Sequence, residues 1–118
     1  MKKVLWISRH MLTREQMHGL EKVCGGPVEL HWWQENVEDP ADLKEVAASA
    51  EVIAAVLPLE LLAELMVMAG ERPVLISCSR RKLVPVEGGE PMALFAHGGW
   101  YRIRHLQVEL EPADQVRT

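Results

Sequence analysis

Ser8, Arg9 and His10 stand directly after the apolar run Val4-Leu5-Trp6-Ile7. They combine a hydroxyl that can orient a phosphate, a guanidinium that can grip one in a bidentate manner, and an imidazole suited to proton transfer near neutrality. A related set follows a later apolar run: Ser77 and Ser79, then Arg80, Arg81 and Lys82. Between them lies Leu57-Pro58-Leu59, where a proline opens a helix whose first amides can bind an anion. Arg14 adds a cation close to the first set. The competing reading of every set is a solvated basic loop.

The charge distribution favours a focused site. The 118 residues carry 13 Lys+Arg against 17 Asp+Glu, a net charge of −4. Segments 8–14 and 79–86 contain Arg9, Arg14, Arg80, Arg81 and Lys82 and no acid, leaving eight basic residues against 17 acidic ones elsewhere. A basic spot on an acidic body suits a small anion better than duplex nucleic acid. The two cysteines, Cys24 and Cys78, have no C-x-x-C spacing and no paired histidines, so neither a zinc site nor any other metal or cofactor is expected. Both read as core thiols.

The elements that must position these residues read as alternating strands and helices. Val4 to Ile7 is a first buried strand. Thr13 caps a helix, with Gln16 completing a capping box and Met17, Leu20, Val23 and Cys24 facing the sheet. Gly25-Gly26 ends it, and residues 27–32 alternate as a second strand. Asp39-Pro40 starts a helix with Leu43, Val46, Ala47 and Ala50 as its stripe. Residues 52–57 form a central strand, and residues 58–69 form a helix that is apolar nearly all round, ended by Gly70. Its surplus apolar residues fit either a second subunit or the C-terminal segment as cover. Residues 73–79 complete βαβαβαβ.

This order predicts an α/β protein, a Rossmann-like, doubly wound, mainly parallel sheet with a C-terminal β-hairpin extension. A chain of this length implies one domain, 1–118, with an α/β core over 1–82 and hairpins over 83–111. Gly88-Gly89 and Gly98-Gly99 read as hairpin turns, a slip in alternation near Arg104-His105 reads as a bulge, and residues 112–118 are expected to fray. In such a sheet strands one, three and four have neighbouring carboxyl ends, which brings Ser8-Arg9-His10, Leu57-Pro58-Leu59 and residues 77–82 together.

No apolar run approaches the ~18 residues of a membrane span. The start, Met1-Lys2-Lys3 and four apolar residues, is too short for a signal peptide, so the expected location is cytoplasmic. The dinucleotide fingerprint, the P-loop and the G-x-S-x-G elbow are all absent from the sequence. A phospho-receiver domain would need carboxylates where Ser8-Arg9-His10 and Leu57-Pro58 stand.

Val4 to His10, an apolar strand ending in Ser-Arg-His, and Ile53 to Leu65, a strand ending in Leu-Pro before a Leu-Leu-Ala helix, resemble the small standalone type III CRISPR ancillary proteins. These are Rossmann-like dimers related to CARF domains, and they cleave or sequester cyclic oligoadenylate. This chain departs from the common pattern in having Met11-Leu12 after the Ser-Arg-His. The resemblance implies a homodimer that binds cyclic oligoadenylate on its two-fold axis. It implies His10 as general acid or base and Arg9 as the stabiliser of phosphorane charge, the catalytic pair. Ser8 and Ser79 would orient phosphates, and Trp33 would be a possible adenine platform. A sponge for the same ligand, or an interaction protein whose basic tips are only solvated, are the alternative functions.

Overall fold

The computed structural model describes residues 1–115. Val4, Leu5, Trp6 and Ile7 are apolar in sequence without alternation, which only a strand covered on both faces can bury. All four are buried, in β1 (Lys2–Ile7). This strand pairs in parallel with β2 (Val28–Trp33) on one side and β3 (Val52–Ala55) on the other. Next come β4 (Val74–Val84), parallel to β3, and β5 (Met92–Arg102), antiparallel to β4. The protein is thus a mixed α/β fold with one five-stranded sheet in the order β2-β1-β3-β4-β5.

The helices divide the core in two. Leu20 of α1 (Arg14–Cys24) packs with Val4, Trp6, Val52, Ala54 and Leu75 on one face. On the other, Leu5, Ile7, Ile53 and Val74 meet Ala47 of α2 (Lys44–Ala48) and Leu62, Leu65 and Ala69 of α3 (Leu59–Ala69). A short 3-10 turn, Pro40–Leu43, capped by the Asp39 carboxylate, leads into α2. Each large side chain buried this way contributes roughly 1.5–3 kcal/mol. The capping box expected at Thr13 is present: Thr13 Oγ1 accepts from the Gln16 amide at 3.1 Å, and Gln16 Oε1 accepts from the Thr13 amide at 2.9 Å.

Helix α3 is covered only in part. Ile103 and Leu106 of the C-terminal segment pack against the core on its side of the sheet. Val67, 84% exposed, and Leu59, 61% exposed, have no cover among the described residues.

The C-terminal third differs from the sequence expectation. The fourth strand does not stop at Ser79; it runs on to Val84, so a boundary at residue 82 falls inside a strand. Gly88-Gly89 lies between β4 and β5, at the predicted turn. Gly98-Gly99 is not a second hairpin turn but sits within β5. Cys78 pairs with Gly99 and Ser79 with His97, leaving Gly98 as the extra residue of a bulge. A Cβ on Gly98 would lie 3.1 Å from the Cys78 carbonyl oxygen, and Gly99 has φ +124°. Glycine is therefore required by backbone approach and by a conformation other residues avoid. The irregularity expected at Arg104-His105 lies instead at Gly98, and residues 103–112 have no regular structure. Ala113–Gln115 form a short 3-10 turn; the rest of the segment expected to fray, 116–118, lies outside the described residues.

Only Val74 and Leu75 of β4 pair with β3. Beyond them β4 and β5 pair with each other and leave the sheet as a two-stranded arm. The radius of gyration is 17.3 Å, against ~13.5 Å for a compact chain of this length. Among the described residues no helix is long and apolar enough to cross a membrane.

Candidate functional site

β1 and β3 end side by side, with Ile7 paired to Ala55. The chain leaves β1 toward β2 and returns through β3 toward β4, so the strand order reverses between these two ends. Such a point opens a crevice, because successive connections leave toward opposite sides. Here the crevice is a cleft of about 280 Å³, lined by Ile7, Ser8, Arg9, Asn36, Val56, Leu57, Pro58 and Leu61 among others.

Backbone bonds fix the first tip. The Ser8 amide donates to the Trp33 carbonyl at 3.1 Å, and Trp32 Nε1 donates to the Ser8 carbonyl at 2.8 Å. The His10 amide donates to Ser8 Oγ at 3.2 Å, and Trp6 Nε1 donates to the His10 carbonyl at 2.9 Å. The tight polar turn is thus held by two tryptophans beneath it. Arg9 Nε and Nη2 both donate to Asn36 Oδ1, at 3.0 and 2.6 Å. That fork sets the guanidinium plane at the cleft and leaves its other N–H groups for an anion.

The opposite wall is the start of α3. The Leu61 and Leu62 amides both donate to the Pro58 carbonyl, at 3.1 and 3.0 Å. The amides of Leu59 and Glu60 therefore have no intrahelical acceptor, and no side chain caps this end. This helix start, with the positive end of its dipole, reaches through Pro58 and Leu61 the cleft that Arg9 also lines. Glu35 also lines the cleft and places one carboxylate in it. Among the described residues no group of three His, Cys, Asp or Glu side chains is placed to hold a metal ion.

No family model, curated protein or solved structure matches this chain. The site therefore rests on its own geometry.

That geometry unites part of the expected set. Ser8, Arg9, Leu57 and Pro58 line one cleft. His10 is next to it, exposed and outside the lining residues, as are Arg14 and Leu59. Ser77 is occupied elsewhere: its Oγ accepts from Gln16 Nε2 at 3.1 Å and lies 3.0 Å from His97 Nδ1, under α1. Ser79, Arg80, Arg81 and Lys82 do not form a strand tip. They stand on the arm, exposed, with Arg80 about 14 Å beyond the level of the cleft at ~3.4 Å per residue. The physical reason is that β4 continues by pairing with β5 where a loop was expected.

The other histidines and aromatics also find their places. His97 is a packed link between β5 and α1, with its Nδ1 3.0 Å from Ser77 Oγ and its ring 5.7 Å from Trp100. Trp100 in turn meets Trp6 edge-on at 5.7 Å and donates to the Gln16 carbonyl at 2.8 Å. Tyr101, the next residue, is exposed. Trp33 is half-buried and packs against the core on the α3 side, and its buried Nε1 has no partner among the described residues. Sequence reading missed Asn36, an ordinary loop asparagine whose importance comes only from facing Arg9.

Proposed function

We propose that this protein binds cyclic oligoadenylate, most simply cyclic tetra-adenylate, and opens it without a metal ion. The reading takes the sheet as Rossmann-like and doubly wound, with the chain as a CARF-related ring nuclease acting in the cytoplasm. The observation that carries it is the cleft at the β1/β3 reversal, where Arg9, oriented by Asn36, shares the lining with Pro58 and Leu61 of the uncapped start of α3. A phosphate bridging these walls satisfies both. A cleft of about 280 Å³ is small even for a single small-molecule ligand. A ring of nucleotides needs two such clefts facing each other across a two-fold axis, hence a homodimer.

The reaction uses the ligand's own nucleophile. A ribose 2′-oxygen attacks the adjacent phosphorus and the P–O5′ bond breaks. The products are a 2′,3′-cyclic phosphate and a 5′-hydroxyl. His10 takes the 2′ proton or returns one to O5′, an effect of roughly 10²–10⁴-fold. Arg9 stabilises the charge gathering on the phosphorane. A second reading, a sponge that binds without turnover, is favoured by one fact: the His10 side chain is not among the residues lining the cleft.

The test is to mix the protein with cyclic tetra-adenylate in EDTA and follow both binding and products. Linear di-adenylate with a cyclic phosphate end establishes the nuclease, and His10→Ala should then abolish cleavage while sparing most affinity. Binding without product leaves the sponge. Absence of binding at micromolar protein overturns both, and leaves an interaction protein without ligand.

A further inference from the structure

The outer part of the arm, Ser79 to Val84 paired with Met92 to His97, is a two-stranded ribbon whose residues are mostly exposed, and such ribbons are marginal by themselves. Its large apolar residues point into solvent: Phe95 is 73% exposed and Leu83 57%, with Met92 and Leu94 also exposed. Register pairs Arg81 with Phe95, next to Leu83 and Ala93 on the same face, and Lys82 with Leu94 on the other. No acid occurs between Pro73 and Val86, so the base of the arm is apolar and uniformly positive through Arg80, Arg81 and Lys82.

The second bare surface is the outer side of α3. Glu60, Glu64 and Val67 are exposed and fall on one helical stripe, continued by Glu71 just past the helix end. Leu59 is exposed at the start of the same helix. This surface is apolar and uniformly negative.

We infer that the arm of one copy docks on α3 of a second copy, and reciprocally, in a two-fold arm-exchange dimer. Charge selects this pairing over the others. Arm against arm would bring Arg80, Arg81 and Lys82 together with their own copies. Helix against helix would do the same for Glu60 and Glu64. Only the crossed arrangement places opposite charges together, and a two-fold axis makes it twice over. Phe95 and Leu83, on the arm face that carries Arg81 and with Arg80 and Lys82 along its rim, then cover Val67 and Leu59, which the described residues leave bare. The inference does not depend on the nucleotide reading, because it is tested without nucleotide.

The experiment is sedimentation velocity on the full chain and two charge-reversed variants, R80E/R81E and E60K/E64K. All four positions are exposed, and circular dichroism confirms the fold of each variant. The wild type should sediment as a dimer at tens of micromolar. Each variant alone should be monomeric, its self-association weakened at least tenfold, because arm and helix then carry the same sign. An equimolar mixture of the two should restore a dimer, since both crossed contacts become complementary again. A monomeric wild type, variants that dimerise like the wild type, or a mixture that stays monomeric overturns the proposal. So does an arm variant that keeps the dimer but loses binding to single-stranded RNA, which would assign the basic arm to nucleic acid.

Discussion

Arg9 and Asn36 are worth more together than separately. An arginine free to sample many rotamers loses entropy when it binds a phosphate, and the two hydrogen bonds to Asn36 Oδ1 remove part of that cost beforehand. Arg9→Ala should therefore weaken binding of cyclic tetra-adenylate by at least tenfold, the loss of a charge-assisted contact. Asn36→Ala should weaken it by a smaller factor and leave the melting temperature unchanged, since both residues are exposed. Isothermal titration of the two variants distinguishes the roles; equal losses would make Asn36 a direct ligand. Cys24 makes a different case. Burial pushes its thiol above the ordinary value of 9.0, opposed by the nearby Lys2 charge and reinforced by Glu51. The fold thus favours the protonated thiol, a stabilisation complete below the unfolded pKa and lost as pH rises through the higher folded one. Alkylation of native protein by iodoacetamide should find Cys24 lagging an unfolded control in full below pH 9, the lag closing as the pH rises above the folded pKa. Equal rates below pH 9 would mean that the site is open to water.

The bulge in β5 shows what a glycine decides. Without it the arm would continue in register from the sheet. With it, His97 is turned onto Ser77 and α1, and Trp100 onto Trp6. The atoms crowding a Cβ at Gly98 are backbone, from Cys78 to Arg80, and cannot swing aside. Gly98→Ala should lower stability by about 1–3 kcal/mol, the range for forcing extra volume into a packed site, read as a shift of the denaturant midpoint with little change in slope. A neutral result would mean that the bulge migrates. This element also shows what the sequence could and could not convey. Apolar runs and caps made β1, β2, α1, β3 and α3 legible, because local chemistry decides them. A Gly pair looks alike in a turn and in a bulge; which it becomes depends on whether β4 keeps a partner, and that partner lies twenty residues away. The cleft was legible at Ser8, Arg9 and Pro58 because topology alone brings strand ends together. Asn36 was not, since a loop side chain finds its partner only in three dimensions. Arg72 is a similar case. It joins the ends of α2 and α3 by donating to the carbonyls of Ala47, Ala50, Met68 and Ala69, and no local pattern announces that.

The arm also governs how the molecule should look in solution. A chain of this length gathered around one core has a radius of gyration near 13.5 Å; this one has 17.3 Å, with extents of 51, 51 and 25 Å. The excess comes from the ribbon beyond Leu75, which touches no other strand, and from the open segment after Arg102. Hydrophobic burial alone would fold that ribbon back onto an apolar surface of the same chain, such as the exposed side of α3. The sheet prevents this, because β4 enters the arm as a straight continuation of a strand already fixed against β3. The exposed surfaces are therefore satisfied between copies or not at all. Small-angle scattering of the monomeric R80E/R81E variant should return a radius of gyration close to 17.3 Å, allowing for a hydration layer. A value near 13.5 Å would show the arm collapsed on its own body, and would remove the geometric ground for exchange between copies.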